Sequence, residues 1–317
     1  MDRDDGILAL EQPTFTSLWA SKVVDLTEID VPAYSITGWS SVALHLRGTI
    51  AAWKAFSSKH KYLRVHAGRE WEQYYNDDGQ RRQKAFWDCF LKDLPTEVDG
   101  WPLIEIDVRT IENFTPRFEQ SWPPHNAELT SLFLSGNTLE AEVSAASIPT
   151  DAISYQSHLR YGENASANFD YRFTTRTEIT GDICLKLYVQ AQQFPDTDIF
   201  VAVKKVNKTG QEVQFYNQSQ TQEASAAHGW REYSHEGPRR LWVTPDEIVS
   251  AEIEVWPSST VWEEGETLRV TVQGHSFFSE ESPVTSKHAL SHNFGEVKIW
   301  YGQAYPSQLL VPVIKNL

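Results

Sequence analysis

The sequence predicts an α+β protein in which a small parallel β-α-β segment packs on a larger all-β sandwich. The first part of the chain has two apolar runs, at 31–36 and 62–65, on either side of a stretch with helical spacing. From about residue 116 the chain becomes a series of strand-like runs divided by turns, with almost no helical pattern. These two textures predict two domains, residues 1–115 and residues 116–317.

The first domain is predicted to contain parallel strands joined by a helix. The stretch 43–56 places Leu46, Ile50 and Trp53 on one helical face between the two apolar runs. A β-α-β unit of this kind gives parallel strands with a right-handed crossover. Functional groups in open α/β sheets collect beyond the carboxyl ends of the strands, so we expect a site there.

A second helix and a third strand follow in the first domain. The stretch 81–92 has Phe86 and Phe90 on one apolar face, and Pro95 is expected to end this helix. Residues 103–108 alternate between apolar and polar side chains, which predicts a strand.

The second domain is predicted to be a jelly-roll sandwich. Pro116, Pro123 and Pro124 mark a linker-like crossing into it, and the tetrapeptide 207–210 predicts a hairpin turn. Many short strands with little helix are typical of sandwiches and jelly rolls. The strand-like runs are 129–135, 167–173, 182–191, 198–206, 251–257, 267–274, 296–301 and 309–314.

Composition argues against several classes of partner. The net charge of −15 and the absence of a dense basic patch argue against nucleic acid. No apolar run is long enough to cross a membrane and no signal peptide is visible, so we expect a cytoplasmic protein without a membrane partner.

No cofactor or metal is expected. The sequence has no glycine-rich phosphate loop and no dinucleotide fingerprint. The histidine pairs His228/His235 and His288/His292 have no accompanying HExxH motif or cysteine cluster, so they predict no metal centre.

Several motifs resemble the cocaine esterase/NonD (CocE/NonD) family of α/β-hydrolases, which is related to the X-Pro dipeptidyl-peptidases. Gly38-Trp39-Ser40-Ser41 and Arg69-Glu70-Trp71 resemble the ends of the last two strands of that family's core. The later segments that resemble its C-terminal jelly roll are 178–191, 198–213, 227–236, 250–278 and 292–314.

The resemblance implies a truncated α/β-hydrolase remnant, packed on the jelly roll, whose catalytic positions are lost. Ser41 stands where the family has its triad aspartate, and Arg69 or Glu70 stands where it has its triad histidine. The nucleophile elbow lies far upstream in the family, and no matching segment precedes these motifs here.

The chemistry of individual side chains suggests further candidates and possible roles. His66 ends a predicted strand and could act as a general acid or base, or could simply bond to backbone. Arg69 could clamp an oxyanion or form a salt bridge with a neighbouring acid, and His45 could face the same crevice. Ser40 and Ser276 imitate a nucleophile elbow, but neither motif has the closing glycine.

The sequence leaves three functions open. The first is a non-hydrolytic enzyme that cyclises, isomerises or otherwise rearranges a hydrophobic small molecule, using His66 and Arg69. The second is residual acyl hydrolysis with an unrecognised or partner-supplied nucleophile, and the third is a non-catalytic binding or scaffold protein. Since a small parallel sheet leaves an unpaired edge, we also expect a homodimer.

Overall fold

The computed structural model describes most of the chain. The described residues are 7–8, 11–12, 16–41, 45–141, 143–158, 162, 164–193, 197–216, 223–224, 227–232, 235–236, 239–240, 245–275, 277 and 294–315. Within these ranges, no helix combines the length and apolar character needed to cross a bilayer.

Three parallel strands form the first layer. Strand β1 (Ala33–Gly38) pairs with β2 (Lys61–His66) in register from one end to the other. Strand β3 (Ile104–Arg109) continues the layer, and it runs parallel to β2. The carboxyl ends of the three strands therefore meet at one edge, as the sequence predicts for a β-α-β unit.

Helices cover both faces of this layer. The short helix α1 (Ser17–Ala20) precedes β1, and α2 (Leu46–Ala55) is the crossover from β1 to β2. After β2 come α3 (Glu72–Tyr75) and α4 (Asp77–Lys92).

The two longer helices bury their predicted apolar faces. Leu46, Ile50 and Trp53 of α2 are all buried in one cluster with the apolar residues of β2 and β3. On the opposite face, Phe86 of α4 packs in a second cluster with Tyr62 of β2.

The remainder of the described chain is almost entirely β. It contains a 3-10 turn at Ala145–Ser147, and two more 3-10 turns lie in the first part, at Leu26–Glu28 and Glu97–Gly100. The strands are β4 (Phe114–Glu119), β5 (Ala127–Ser135), β6 (Thr138–Glu140), β7 (Asp151–Gln156), β8 (Ser166–Arg172), β9 (Thr177–Ala191), β10 (Asp198–Val206), β11 (Glu212–Val213), β12 (Phe215–Tyr216), β13 (Glu223–Ala224), β14 (Ala227–Glu232), β15 (His235–Glu236), β16 (Arg239–Arg240), β17 (Val249–Trp262), β18 (Thr267–Gln273), β19 (Glu296–Tyr301) and β20 (Gln308–Ile314). The prediction of a mostly β second part is confirmed.

These strands close on themselves around one large core. The order runs from β17 through β14, β10, β18, β8, β6, β5 and β20 to β9, and β9 pairs again with β17. Trp262, Phe169 and Leu185 are among the fully buried side chains inside. Burial of large apolar side chains is the main favourable term for such a fold.

One strand joins the parallel layer to the β part. Thr260 of β17 pairs in parallel with Arg109 at the end of β3. The pairing of β17 with β9 shifts its register between Val255 and Ser258, just before this junction. The junction places the ends of β1, β2 and β3 next to the β part.

The predicted crossing at Pro116 differs from the structure. Pro116 lies inside β4, opposite Asp107 of β3 in an antiparallel pairing. Proline is tolerated there because β4 is an edge strand, so no neighbouring strand needs its missing N–H. The boundary at residue 115 falls within this strand, and the division into domains stays a prediction.

Candidate functional site

A cleft of about 460 Å³ opens at the carboxyl ends of the three parallel strands. Its lining comes from the last residue of β3, from the residues that follow β1, β2 and β3, from the first residue of β4, and from the first residue of β12 and the residue before it. The lining residues are Trp39, Ser40, Ala67, Gly68, Arg69, Glu72, Arg109, Thr110, Ile111, Glu112, Asn113, Phe114, Gln214 and Phe215.

Arg69 is the predicted site residue that lines the cleft. Its side chain is exposed, and its backbone N–H donates to Glu72 Oε2 at 3.0 Å. Among the described residues, no ion pair involves its guanidinium, so the alternative of a salt bridge to a neighbouring acid is not found there. Arg69 can therefore offer its planar fork of N–H donors to a ligand.

His66 lies beneath the cleft floor and is 2% exposed. Burial, and then the charge of Arg64, lower the pKa of His66 to about 4, so the imidazole is neutral at pH 7. Its Nε2 has no hydrogen-bond partner among the described residues. A Cβ added to Gly68, which lines the cleft, would lie 3.6 Å from the imidazole Nδ1, so the ring packs against the loop that lines the cleft.

Glu70 connects the loop after β2 to the end of β1. Its Oε2 accepts a hydrogen bond from the Gly38 N–H at 3.0 Å, and both carboxylate oxygens lie 3.5 Å from Thr37 Oγ1. Glu70 does not line the cleft that the described residues form. Its contacts hold the ends of the two strands together.

Ser41 and His45 also lie outside the lining of that cleft. Ser41 is fully buried, and its Oγ accepts a hydrogen bond from the His45 N–H at 3.2 Å. His45 is exposed at the N-cap of α2 and is not among the residues that line this cleft, so its part in the site stays a prediction. The helix begins one residue later and turns this side chain towards solvent.

Ser40 and Ser276 are the two serines whose flanking residues resemble a nucleophile elbow. Ser40 lines the cleft, and its Oγ donates to the Gly68 carbonyl oxygen at 3.0 Å. A serine nucleophile needs its hydroxyl bonded to a base, which a carbonyl is not. Ser276 lies outside the described residues.

The histidine pairs singled out in the sequence lie partly outside the described residues. His288 and His292 lie outside the described residues, and the backbone alone is described for His228 and His235. In the part of the chain that is described, no group of three His, Cys, Asp or Glu side chains could hold a metal.

Arg109 is a cleft residue that the sequence reasoning missed. Its guanidinium carbon lies 5.4 Å from the Trp39 ring and 4.6 Å from the Phe215 ring. Its Nη2 donates to Ser258 Oγ at 2.9 Å and to Thr260 Oγ1 at 3.1 Å. Arg109 ends an apolar strand just as His66 does, so the same strand-end rule could have found it.

Burial acts directly on the charge of Arg109. The residue is 6% exposed, and this burial lowers the pKa of its guanidinium to about 9. Its Nε donates to the Ser259 carbonyl oxygen at 3.2 Å, which anchors the side chain to β17. Arg109 is therefore a cation held in the cleft at the point where β3 of the parallel layer meets β17 of the β part.

A buried ion pair supports the cleft from below. Arg64 Nη2 donates to Asp107 Oδ2 at 3.0 Å, and the same oxygen accepts from the Ala67 N–H at 2.9 Å. The Asp107 carbonyl oxygen accepts from Trp39 Nε1 at 2.7 Å. Asp107 thus holds two lining residues, Trp39 and Ala67, in place.

The fold and the cleft together define a hydrolase-like scaffold with a β-rich C-terminal part. The chain belongs to the family of the X-Pro dipeptidyl-peptidase C-terminal non-catalytic domain, whose sequence model matches residues 97–310. The resemblance to the C-terminal part of the CocE/NonD family is confirmed by this match and by solved structures.

Two solved structures of a CocE/NonD family hydrolase from Staphylococcus aureus are 30% identical to this chain, each with a TM-score of 0.90. The matches cover 98% and 99% of this chain, and 60% and 59% of those chains. This chain therefore spans about 60% of the length of the solved structures that it matches. A search of curated proteins found no match.

A more distant structure shares the fold alone. An aminopeptidase from a marine sediment archaeon of the Thaumarchaeota is 15% identical, with a TM-score of 0.76. The match covers 97% of this chain and 59% of that one.

Proposed function

We propose that the chain binds a hydrophobic small molecule in the strand-end cleft and promotes its cyclisation, isomerisation or a similar rearrangement. The observation that carries this proposal is the cleft itself, about 460 Å³ in volume, with the exposed Arg69 in its lining. That volume is typical of small-molecule sites. A mixed lining of aromatic and charged side chains suits a ligand with an apolar body and a polar group.

The parallel layer can be interpreted by comparison with the hydrolase scaffold that the chain resembles. We interpret β1, β2 and β3 as part of an α/β-hydrolase core, and the β part as its jelly roll. The parallel order of the strands and the likeness to the Staphylococcus aureus hydrolase favour this interpretation. In this interpretation the cleft is the inherited site, used for a different reaction.

The positions of the former catalytic groups favour chemistry without a triad. Ser41 is buried with its Oγ bonded to the His45 N–H, and Glu70 is bonded to the Gly38 N–H. Arg69 is available to stabilise an enolate or carboxylate, and ligand positioning supplies the remaining rate enhancement. His66 is 2% exposed and does not line the cleft that the described residues form, so its role as acid or base stays a prediction.

Ligand-observed NMR with a panel of apolar fragments tests the binding site. Ile111 lines the cleft and is 46% exposed, so Ile111→Trp should fill the cleft and abolish binding of the hits. Leu129→Trp, at a position 63% exposed on β5, is the matched control and should retain binding. Liquid chromatography coupled to mass spectrometry then looks for products that have the mass of the hit but a different retention time. Hits that bind both variants equally would contradict the proposal.

Acyl hydrolysis is the second candidate, because a 30% identical relative is described as a hydrolase. The nucleophile would be an unrecognised serine or would come from a partner chain. Fluorophosphonate labelling with intact-mass detection, alongside p-nitrophenyl acetate turnover, tests it. A stoichiometric adduct with turnover would replace the non-hydrolytic proposal. Cleft ligands without any product would instead favour the non-catalytic binding protein.

A further inference from the structure

We propose that the cleft continues as an apolar track along β4, and that its ligand is a linear amphiphile with a zwitterionic head group. The head group lies at the cleft between Arg69 and Glu112, and the alkyl chain lies on the exposed face of β4. This inference rests on the proposed function, since it names the ligand class of the same cleft. It adds Phe118, which is not in the lining of the cleft that the described residues form, as a residue that determines chain length.

Strand β4 turns its apolar side to solvent, which is the reverse of the usual arrangement in a sheet with one solvated face. Phe114, Pro116 and Phe118 alternate along the strand and therefore share one face. All three are exposed, with Phe114 at 54% and Phe118 at 61%. Contiguous exposed apolar patches commonly mark a binding surface.

The polar side of β4 is directed towards the β part. Arg117 is paired with Glu119 on the same strand and with Glu178 of β9, where 3.3 Å separates Nη1 from Oε1. Glu178 is 4% exposed, so its pair with Arg117 lies largely inside the protein. These contacts fix which way β4 faces, because turning the strand over would leave the buried Glu178 carboxylate without its arginine.

The apolar face of β4 is continuous with the cleft. Phe114, the first residue of the strand, lines the cleft, and so does Ile111 in the loop before it. Ile111 is 46% exposed, so apolar surface extends from the cleft onto the strand. From Phe114 to Phe118 the strand rises about 13 Å, which is enough to hold a medium-length alkyl chain.

An alkyl chain fits this surface better than an added β-strand does. A strand would need the N–H and C=O groups along the edge of β4, and Pro116 interrupts the row of N–H donors. An alkyl chain needs no hydrogen bonds and gains from apolar contact alone. The track is therefore suited to a flexible apolar chain.

The cleft supplies one accessible charge of each sign for the head group. Arg69 on the loop after β2 and Glu112 on the loop between β3 and β4 are both exposed in the lining. Neither charged group has a hydrogen bond or an ion pair within the described part of the chain. Glu72 is less available, because its Oε2 already accepts the Arg69 N–H. A head group with both charges can pair with both side chains, whereas a single charge meets one attraction and one repulsion.

Calorimetric titration with alkyl sulfobetaines of octyl, decyl and dodecyl chain length, each below its micelle concentration, tests the track. Each added pair of methylenes should tighten binding by about fourfold, since a methylene half buried on the track contributes about twofold. Phe118→Ser should remove most of this gain and leave the octyl affinity within about twofold. Leu91→Ser is the matched control, because Leu91 is 71% exposed near the carboxyl end of α4, and it should keep the gain.

Decyl sulfonate and decyltrimethylammonium test the head group, because they keep the chain and carry one charge each. The decyl sulfobetaine should bind at least about 5-fold more tightly than either of them. Arg69→Gln should weaken binding of the sulfonate and spare the trimethylammonium ion, and Glu112→Gln should do the reverse. Equal affinity for the three head groups overturns the zwitterionic ligand.

The same chain-length gain in Phe118→Ser and in the unaltered protein overturns the track along β4 and leaves the proposed cleft standing. Absence of binding by all the amphiphiles also overturns the inference, and the Ile111→Trp fragment experiment then decides the proposed function separately. Sedimentation with phosphatidylcholine vesicles distinguishes a single amphiphile from a membrane surface. Binding of the vesicles without binding of the monomeric sulfobetaines overturns the inference.

Discussion

At the scale of single residues, the charged groups under the cleft are the least ordinary feature of the chain. Arg64, His66 and Asp107 are each less than a tenth exposed, although ionisable groups are usually found at surfaces. They sit where β2 and β3 end, directly behind the cleft floor. Their burial makes stability near the cleft depend on pH and on intact pairing.

His66 should make the protein less stable in mild acid. Its pKa of about 4 in the folded state lies below its usual 6.5, so the unfolded chain takes up the proton first as the pH falls. The contribution of His66 is therefore full above pH 6.5 and decreases below it, by about 2 kcal/mol between pH 7.5 and pH 5.

Urea unfolding at those two pH values measures this change. His66→Gln should lose about 2 kcal/mol less than the unaltered protein on acidification. His125→Gln, at an exposed histidine, is the control and should follow the unaltered protein. An identical pH dependence in all three proteins would show that His66 is not buried in its neutral form.

Removal of Asp107 should destabilise the fold strongly. Asp107→Ala leaves the buried Arg64 without its closest carboxylate and the Ala67 N–H without an acceptor. Loss of one member of a buried pair costs about 3–5 kcal/mol. Chemical denaturation measures the loss, with Arg47→Ala as the comparison, because its pair with Glu254 is half exposed and should contribute under about 1 kcal/mol. Similar losses in both variants would contradict the role of the buried pair.

At the scale of elements, α2 shows how local pattern and packing agree. Its apolar spacing predicts the face that contacts the sheet, and Ile50 on that face is 1% exposed. Its other side has room, because a Cβ added at Gly48 would meet nothing within 4 Å. Substitution by alanine should therefore lower stability at Ile50 and raise it at Gly48.

Ile50→Ala should lower the free energy of unfolding by about 3 kcal/mol, since it leaves a cavity between α2 and the sheet. Gly48→Ala should raise it by about 0.5–1 kcal/mol, because alanine favours a helix and no atom obstructs its Cβ. Thermal and urea unfolding of the two variants measure both effects. Destabilisation by Gly48→Ala would mean that this part of α2 is not a regular exposed helix.

At the scale of the whole molecule, the edge of β1 is a surface whose backbone groups are open to pairing with another strand. Within the described residues β1 pairs only with β2. Beside this edge, the half-exposed Trp87 ring lies 5.3 Å from Phe86, which lies 6.0 Å from Tyr34 of β1. Open edges and exposed aromatic residues are features that proteins commonly cover with a partner.

The homodimer therefore stays a prediction with a direct test. Sedimentation at 150 mM salt, which screens the net charge of −15, should give twice the chain mass of 36.2 kDa. Trp87→Glu should return the protein to the mass of one chain, whereas Leu129→Glu on β5 should not. A single-chain mass for the unaltered protein would contradict the dimer. The cytoplasmic location likewise stays a prediction.

Much of the β architecture could be predicted from the sequence. The runs 198–206 and 296–301 match β10 and β19 to the residue, and the turn at 207–210 has Asn207 Oδ1 accepting from the Thr209 N–H. Pro116 was predicted, together with Pro123 and Pro124, to mark a linker-like crossing, but it lies inside β4. Only the pairing of β4 with β3 shows that this residue sits on an edge where its missing N–H does no harm.

By itself, the sequence determined the order of the elements, the family and the strand ends at which the cleft lies, because periodicity and motifs are local properties of a chain. The tertiary structure alone decided which strand-end residues line the cleft. It placed Arg69 and Arg109 in the lining, buried His66 beneath it and turned His45 outwards. Burial and electrostatic environment depend on residues more than a hundred positions apart, such as Arg109 and Ser258, and no local pattern records them.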